Sequence, residues 1–483
     1  MESDAEKLHI FLFPFMASGH MIPMIDIARL FAARGTKSTI ISTPLNALHI
    51  QESIDGDKNS GLDIGVQVIP FLCVEAGLPK GCENTDSITS PEMFMNFFKA
   101  CDMLQQPFEK LLEEHHPDCV VSDMFFTWTT DAAKKYRIPR IVFHGICNFT
   151  QCARKNIERF APQEKVELGS EIFVVPGLPD KIEMTKSQFP LWHDETKSNM
   201  MDTLIQKTEV TSFGVLVNSF YEMEPAYAEY YKKDMERRAW NIGPVSLYNR
   251  NSTSKAQRGK KAAIDENYCI SWLNSKKPNS VLYVSFGSLY RISTSQMHEI
   301  AMGLEASAIS FIWVVRGTND KEQYSLPEGF ENRMEGRGLI IREWAPQVLI
   351  LDHPAVGGFM THCGWNSTFE GITAGVPLIT WPLFAEQFYN EKLVTKVLKT
   401  GIESGNKLWK LTMEPDCVQV TKEKIQEVVT QLMGNGIEAK DMRRRAKEVG
   451  EMAKRAVVKG GSSYNDLTAL IEELMANKQK LKR

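Results

Sequence analysis

Long apolar runs are absent from this chain. No stretch of about 18 consecutive apolar residues occurs in its 483 positions, so no membrane-spanning helix is expected. The opening MESDAEK is polar and acidic and lacks the basic start and small-residue cleavage site of a secretory leader, which favours a cytoplasmic protein. Cysteine is scarce and unpatterned. The 9 residues form an odd set without C-x-x-C or metal-ligand spacing, which argues against a disulfide or zinc framework and leaves reduced thiols. Charge of one sign is missing too: 56 Lys and Arg face 60 Asp and Glu, a formal net charge of −4, so no basic field attracts nucleic acid. No G-x-G-x-x-G follows an apolar strand, which argues against a dinucleotide cofactor. Asp55-Gly56-Asp57 could in principle hold a divalent metal. It lies in the polar run DGDKNSG, which reads as a solvated loop, and no resident metal is expected.

What is present is an end-to-end alternation of short apolar runs and amphipathic stretches. Extended candidates at 9–15, 38–43, 65–71, 118–122, 139–143 and 213–218 are separated by helical stretches such as 91–114 and 222–236. A second set follows at 280–286, 310–315, 338–343, 355–361 and 377–381. That rhythm predicts an α/β chain with doubly wound parallel sheets. Asn249 to Ala263 is polar, basic and aperiodic and reads as a surface linker, whereas 438–458 and 463–479 read as charged amphipathic helices. Hydrophobic residues make up 43%, ample for two cores.

The chemistry concentrates between Trp344 and Gln387, in WAPQVLILDHPAVGGFMTHCGWNSTFEGITAGVPLITWPLFAEQ. Three predicted strands end there in succession, and in an open parallel sheet ligands bind just beyond the carboxyl ends of the strands. At the first end Trp344 offers a flat face for a base, and Gln347 can bond base or ribose edges. At the second, His362-Cys363-Gly364-Trp365-Asn366-Ser367 turns through glycine into a helix whose first amides suit an anion. Glu370, one turn beyond Asn366, can accept from ribose hydroxyls. At the third, after Phe384 and Ala385, Glu386 and Gln387 suit vicinal sugar hydroxyls. Taken singly, each has a plain structural use: Trp344 as a core aromatic, His362 as an interior histidine, Asn366 and Ser367 as helix caps. Their arrival together at successive strand ends carries the reading of a site for a nucleotide sugar.

A proton acceptor is sought in the first half. His20 follows the apolar strand 9–15, just before a helix expected to open near Pro23. Asp123 ends the apolar strand CVVS, before Phe125, Phe126 and Trp128. If the two strands are neighbours, Asp123 can bond one ring nitrogen of His20 and raise its basicity, which leaves the other nitrogen to take a proton from a hydroxyl. The alternatives are a loop histidine and a capping aspartate.

The block from Trp344 to Gln387 resembles the signature of plant secondary-product UDP-glycosyltransferases. PFMASGHMIPMIDIARLFAARG (14–35), VSDMFFTW (121–128), NIGPV (241–245) and VLYVSFGS (281–288) extend the resemblance over most of the chain. It implies two Rossmann-like domains facing a cleft, the glycosyltransferase B fold. The expected division is an acceptor-binding domain at 1–245, a linker at 246–264 and a UDP-sugar-binding domain at 265–459, with a helix at 460–483 packing back on the first. It implies that Trp344 stacks on uracil, that Gln347 and Glu370 hold the ribose, and that Ser288, His362, Asn366 and Ser367 take the diphosphate. Ala345 and Gly364 belong to the same donor set, and Trp365, Glu386 and Gln387 face the sugar. It assigns His20 and Asp123 the base and its orienting partner. Gln387 points to UDP-glucose, since relatives using galactose often carry His there. One departure is Ile146, where relatives often place Ser or Thr.

The implied reaction is inverting O-glycosyl transfer from a UDP-sugar co-substrate by a monomer that needs no metal. Phe125, Phe126, Phe149, Trp192, Met200, Met201 and Phe384 are expected to line the side that takes a hydrophobic small-molecule acceptor: a flavonoid, another phenolic, a triterpenoid or a steroid. A sugar-nucleotide epimerase of the same fold and a non-catalytic nucleotide-sugar-binding protein are the rival readings. Need for an acceptor separates the first, and the His20 and Asp123 pair argues against the second.

Overall fold

The computed structural model describes residues 7–189, 195–249, 255, 258–289, 292–316, 326–410 and 417–482. Trp192 and the side chain of Met200 lie outside what is described.

The first half builds a seven-stranded parallel sheet from β1 (His9–Phe13), β2 (Lys37–Ser42), β3 (Ile64–Val68), β4 (Cys119–Asp123), β5 (Arg140–Phe143), β8 (Gly214–Val217) and β9 (Ala239–Asn241), in the order β3-β2-β1-β4-β5-β8-β9. The short hairpin β6 (Ile172–Val174) and β7 (Glu183–Thr185) stands apart from it. The second half builds a six-stranded parallel sheet from β10 (Val281–Ser285), β11 (Ser310–Val315), β12 (Gly338–Arg342), β13 (Val356–Thr361), β14 (Leu378–Thr380) and β15 (Gly401–Glu403). Its order is β12-β11-β10-β13-β14-β15. Every residue of β4, β10 and β13 is buried, as expected of central strands covered on both faces, and this is why they read as continuous apolar runs.

Both sheets share one topological feature. The strand order reverses between β1 and β4 in the first and between β10 and β13 in the second, and such reversals open the crevice that binds ligands in doubly wound sheets. β1 pairs with β4 directly, Phe13 opposite Ser122, which brings the residues after each strand to one place.

Several local expectations are corrected. β9, β15 and both hairpin strands, three residues each, were too short to leave a periodic signal. The predicted helix 91–114 is two helices, Pro91–Asp102 and Gln105–His115. Asp55-Gly56-Asp57 lies on the Pro44–Asn59 helix rather than in a loop, and Asp57 accepts from Arg29 Nε at 2.7 Å. The first helix begins at Ser18, so Pro23 falls inside it and His20 sits in its first turn.

Apolar contacts join the halves at two of their junctions. Leu467, Leu470 and Leu474 of the Ser462–Leu481 helix enter the same core as Leu8, Ile10 and Phe31, each contributing about 1.5–3 kcal/mol by burial. Phe220 of the first half stacks on Phe369 of the second, centroids 6.0 Å apart.

Candidate active site

The β1/β4 reversal carries a histidine held by a carboxylate. His20 Nδ1 lies 2.7 Å from Asp123 Oδ2, while Asp123 Oδ1 accepts from the Phe125 amide at 3.1 Å. Asp123 is fully buried and His20 keeps 23% of its side chain exposed. Burial alone would lower the His20 pKa, but the Asp123 charge and hydrogen bond, with Glu386 adding its field from the other half, raise it above the ordinary value. One ring nitrogen is committed and the other is the group left to exchange a proton. The Phe15 and Phe125 rings stand 5.6 Å from the imidazole, so it works against apolar walls.

The β10/β13 reversal carries a histidine of opposite character. A Cβ on Gly287 or Gly364 would stand 2.5 Å from the His362 ring, so the imidazole is sandwiched between two backbone stretches that only glycine permits. Burial, and secondarily the Arg316 guanidinium, push its pKa down to about 4. His362 is therefore neutral near pH 7, able to donate one N–H and unable to supply charge, and its buried Nδ1 has no partner among the described residues. The Trp365–Ala374 helix starts from Gly364, which has no side chain to cap it; among the described residues the Asn366 and Ser367 amides are left open, and neither residue is a cap.

The helix end is tied to the first half by a bond the sequence conceals. Pro23 has no N–H, so the carbonyl four residues earlier, that of Gly19, lacks its helical donor. Asn366 Nδ2 fills the vacancy from the other half at 2.6 Å, one residue from His20. Asn366 Oδ1 is buried without a partner among the described residues.

Further along, the predicted nucleoside residues form one network. Gln347 Nε2 donates to Glu370 Oε2 at 2.7 Å and to Ser367 Oγ at 3.1 Å, and Tyr283 Oη donates to Gln347 Oε1 at 3.2 Å. Ala345 follows Trp344 in a tight turn, its carbonyl taking the Gln347 amide at 2.8 Å. Around Arg258 and Gly259 the linker lies between the halves rather than over the surface as expected. The Arg258 side chain, 7% exposed, donates to Asp26 at 2.7 Å and to Glu370, bridging the halves. Gly259, at φ +99°, lies so close to the Trp344 indole that a Cβ would stand 2.3 Å from it. Aperiodic polar sequence gave no hint that an arginine would be drawn in, because both carboxylates that draw it are distant in the chain.

Other expectations meet mixed outcomes. Glu386 Oε1 accepts from the Trp365 amide at 3.3 Å, beside the open helix end. Gln387 spends its oxygen on the Leu383 and Phe384 amides at 2.8 and 3.1 Å, which leaves only its NH₂ to donate elsewhere. Trp365 does not face a sugar: its indole donates to the Asn218 carbonyl at 2.9 Å and stacks on Phe369 at the junction of the halves. Phe126 is fully buried, stacked on Phe13 at 4.2 Å, and Phe149 is fully buried against Tyr227, so both are core residues rather than lining. Ile146 is also core. Phe125, Met201 and Phe384 are half-buried. The aromatic wall beside His20 instead includes Phe98, 5.6 Å from Phe15 and 5.7 Å from Phe125, with Phe94 at 5.1 Å from Phe98. Their i, i+4 spacing in PEMFMNFF was the available signal, and it reads equally well as core.

The chain matches the family model described as UDP-glucoronosyl and UDP-glucosyl transferase over residues 83–423. It is 51% identical over 471 residues to the scopoletin glucosyltransferase of Nicotiana tabacum, covering 97% of this chain and 98% of the relative. It is 50% identical over 475 residues to the UDP-glucose flavonoid 3-O-glucosyltransferase 7 of Fragaria ananassa, covering 97% and 96%. Among solved structures, Glycyrrhiza uralensis UGT73P12, complexed with glycyrrhetinic acid 3-O-monoglucuronide, aligns with a TM-score of 0.93 at 42% identity, over 99% of this chain and 97% of that one.

Proposed function

The chain belongs to the UDP-glucoronosyl and UDP-glucosyl transferase family, and from that premise we propose that it transfers glucose from UDP-glucose, with inversion, to a hydroxyl of a hydrophobic small molecule. It is a UDP-glycosyltransferase of the GT-B fold, built from two Rossmann-like domains. The observation that carries the proposal is the His20–Asp123 bond of 2.7 Å at one strand reversal, with Glu386 and the open Trp365–Ala374 helix end reaching it from the other half.

In this reading, Asp123 fixes the His20 tautomer and stabilises the imidazolium that forms. The free ring nitrogen takes the acceptor hydroxyl proton as the acceptor oxygen bonds to the anomeric carbon. The bond from that carbon to the β-phosphate oxygen breaks in the same displacement, and UDP leaves with the electron pair. The uncapped helix amides and the neutral His362 N–H receive the charge on the leaving group. Trp344, Gln347 and Glu370 hold the nucleoside, and Glu386 with the Gln387 NH₂ hold the sugar. A single displacement converts an α-linked donor to a β-linked product.

The acceptor is assigned by chemistry. Phe94, Phe98 and Phe125, backed by the buried Phe15, offer aromatic faces on the side of the base, which suits a planar phenolic or a rigid polycyclic alcohol. The named acceptors of relatives, scopoletin and flavonoids, are of the first kind. A panel of phenolic, triterpenoid and steroid aglycones, each with UDP-glucose, UDP-galactose or UDP-xylose, tests the proposal, with the product anomer read by NMR. Glucose on an apolar aglycone through a β-linkage, unaffected by EDTA, is expected. An α-linked product, a galactose preference or activity confined to hydrophilic acceptors would overturn it.

A further inference from the structure

The leaving group poses a charge problem that the residues above do not solve. A departing UDP gains negative charge, His362 is neutral, and amide dipoles carry only partial charge. Two basic side chains of the linker stand nearby but are committed: Arg258 to Asp26 and Glu370, and Lys260 to Asp86 at 2.5 Å. Arg316 is not. It follows β11, the strand beside β10, so it emerges at the same edge of the sheet as Ser288 and His362. Its Nη1 donates to the Ser288 carbonyl at 2.5 Å, next to the Gly287 backbone that cradles the His362 ring. Among the described residues no carboxylate lies within ion-pair distance of it, and it is half-buried. A guanidinium withdrawn from water costs free energy unless an anion pairs with it. Burial duly lowers its pKa, although Asp86 and Glu343 oppose this from a distance.

We propose that Arg316 binds the diphosphate of the donor, pairing its remaining N–H groups with phosphate oxygens and neutralising the charge that develops on departing UDP. The Ser288 carbonyl aims the guanidinium, and Ser288 directly follows the Gly287 that lies against the histidine ring. The inference rests on the UDP-sugar reading given above and extends it by one residue. It also assigns a full positive charge to this subsite, where the histidine has only a hydrogen bond to offer.

Arg316→Gln and Arg316→Lys, each compared with the native enzyme, test it by calorimetric titration with UDP and with uridine, alongside Tm and turnover. The expected result is a loss in UDP affinity of about 10–100-fold for Arg316→Gln, with uridine binding and Tm unchanged and partial recovery in Arg316→Lys. Turnover should fall together with UDP affinity. If UDP binding survives in Arg316→Gln, or if UDP and uridine weaken in step, the inference is wrong, because a structural arginine would not discriminate between ligands with and without phosphate. If the native enzyme binds no UDP, the donor reading itself fails.

Discussion

The two strand reversals are built alike and hold histidines that behave in opposite ways. After β1, His20 meets a buried carboxylate, and its pKa rises; after β13, His362 meets two glycine backbones and an arginine, and its pKa falls to about 4. Topology delivered an imidazole to each crevice; a buried carboxylate favours charge on the first, and burial, helped by the Arg316 guanidinium, removes it from the second. A proton acceptor needs a partner that favours the protonated form, as Asp123 does. A hydrogen-bond donor to a phosphate works better if it stays neutral and lets a permanent cation supply the charge. In the proposed displacement the same fold feature thus serves the attacking oxygen through a carboxylate neighbour and the leaving oxygen through a ring kept neutral by burial.

The strongest way to break the comparison is to delete the first histidine. His20→Ala should lower kcat on the order of 10²–10⁴-fold while UDP affinity, measured by calorimetry, stays at the native value. A variant with native turnover would mean that the two histidines are not divided into base and binder.

A second test removes what holds the two reversals together. Arg258 joins Asp26 to Glu370, and Arg258→Gln should lower folding stability by about 1.5–3 kcal/mol, seen as a fall in denaturant midpoint. The loss stays moderate because Asp26 keeps Arg29 and Glu370 keeps Gln347. An unchanged midpoint would show that the bridge is not formed in solution.

The finest test reads the charges directly. Because the His20 pKa is raised above its ordinary value and the deprotonated ring is the proposed base, kcat/KM should rise with pH through that raised pKa and be lost below it. Asp123→Asn withdraws the raising charge, so the acid limb should move to lower pH on the order of 1 unit, with a lower plateau. His362→Gln should weaken UDP binding several-fold, on the order of 10, and leave the limb where it is, since His362 does not titrate near pH 7. Should the limb follow His362 instead, the assignment of roles would reverse.

Much of this site is legible along the chain because its signals are local. Apolar runs such as CVVSD and VGGFMT mark buried parallel strands, and the residues after them mark a crevice, since ligand chemistry in such sheets gathers at strand ends. Trp344, Gln347, His362, Asn366, Ser367, Glu370 and Glu386 fall together for that reason. Trp365 and Phe149 misled because a helix residue's direction depends on which face packs, and the partners, the Asn218 carbonyl and Tyr227, lie far away in sequence. Arg316 gave no signal at all, since a lone arginine after an apolar strand reads as a solvated end.

By itself, then, the sequence determined the order of strands, the chemical inventory of each strand end and the family to which they belong, all properties of short windows and their succession. Only the tertiary structure decided which of those groups meet. β1 against β4 brings His20 to Asp123 across 103 positions, Pro23 frees the Gly19 carbonyl for Asn366 across 347, and the linker arginine finds Asp26 and Glu370 on opposite sides of the molecule. The reason is electrostatic and steric: a pKa, a hydrogen bond or a buried ion pair depends on distances of a few ångströms, and chain separation carries no information about those until the sheets are packed.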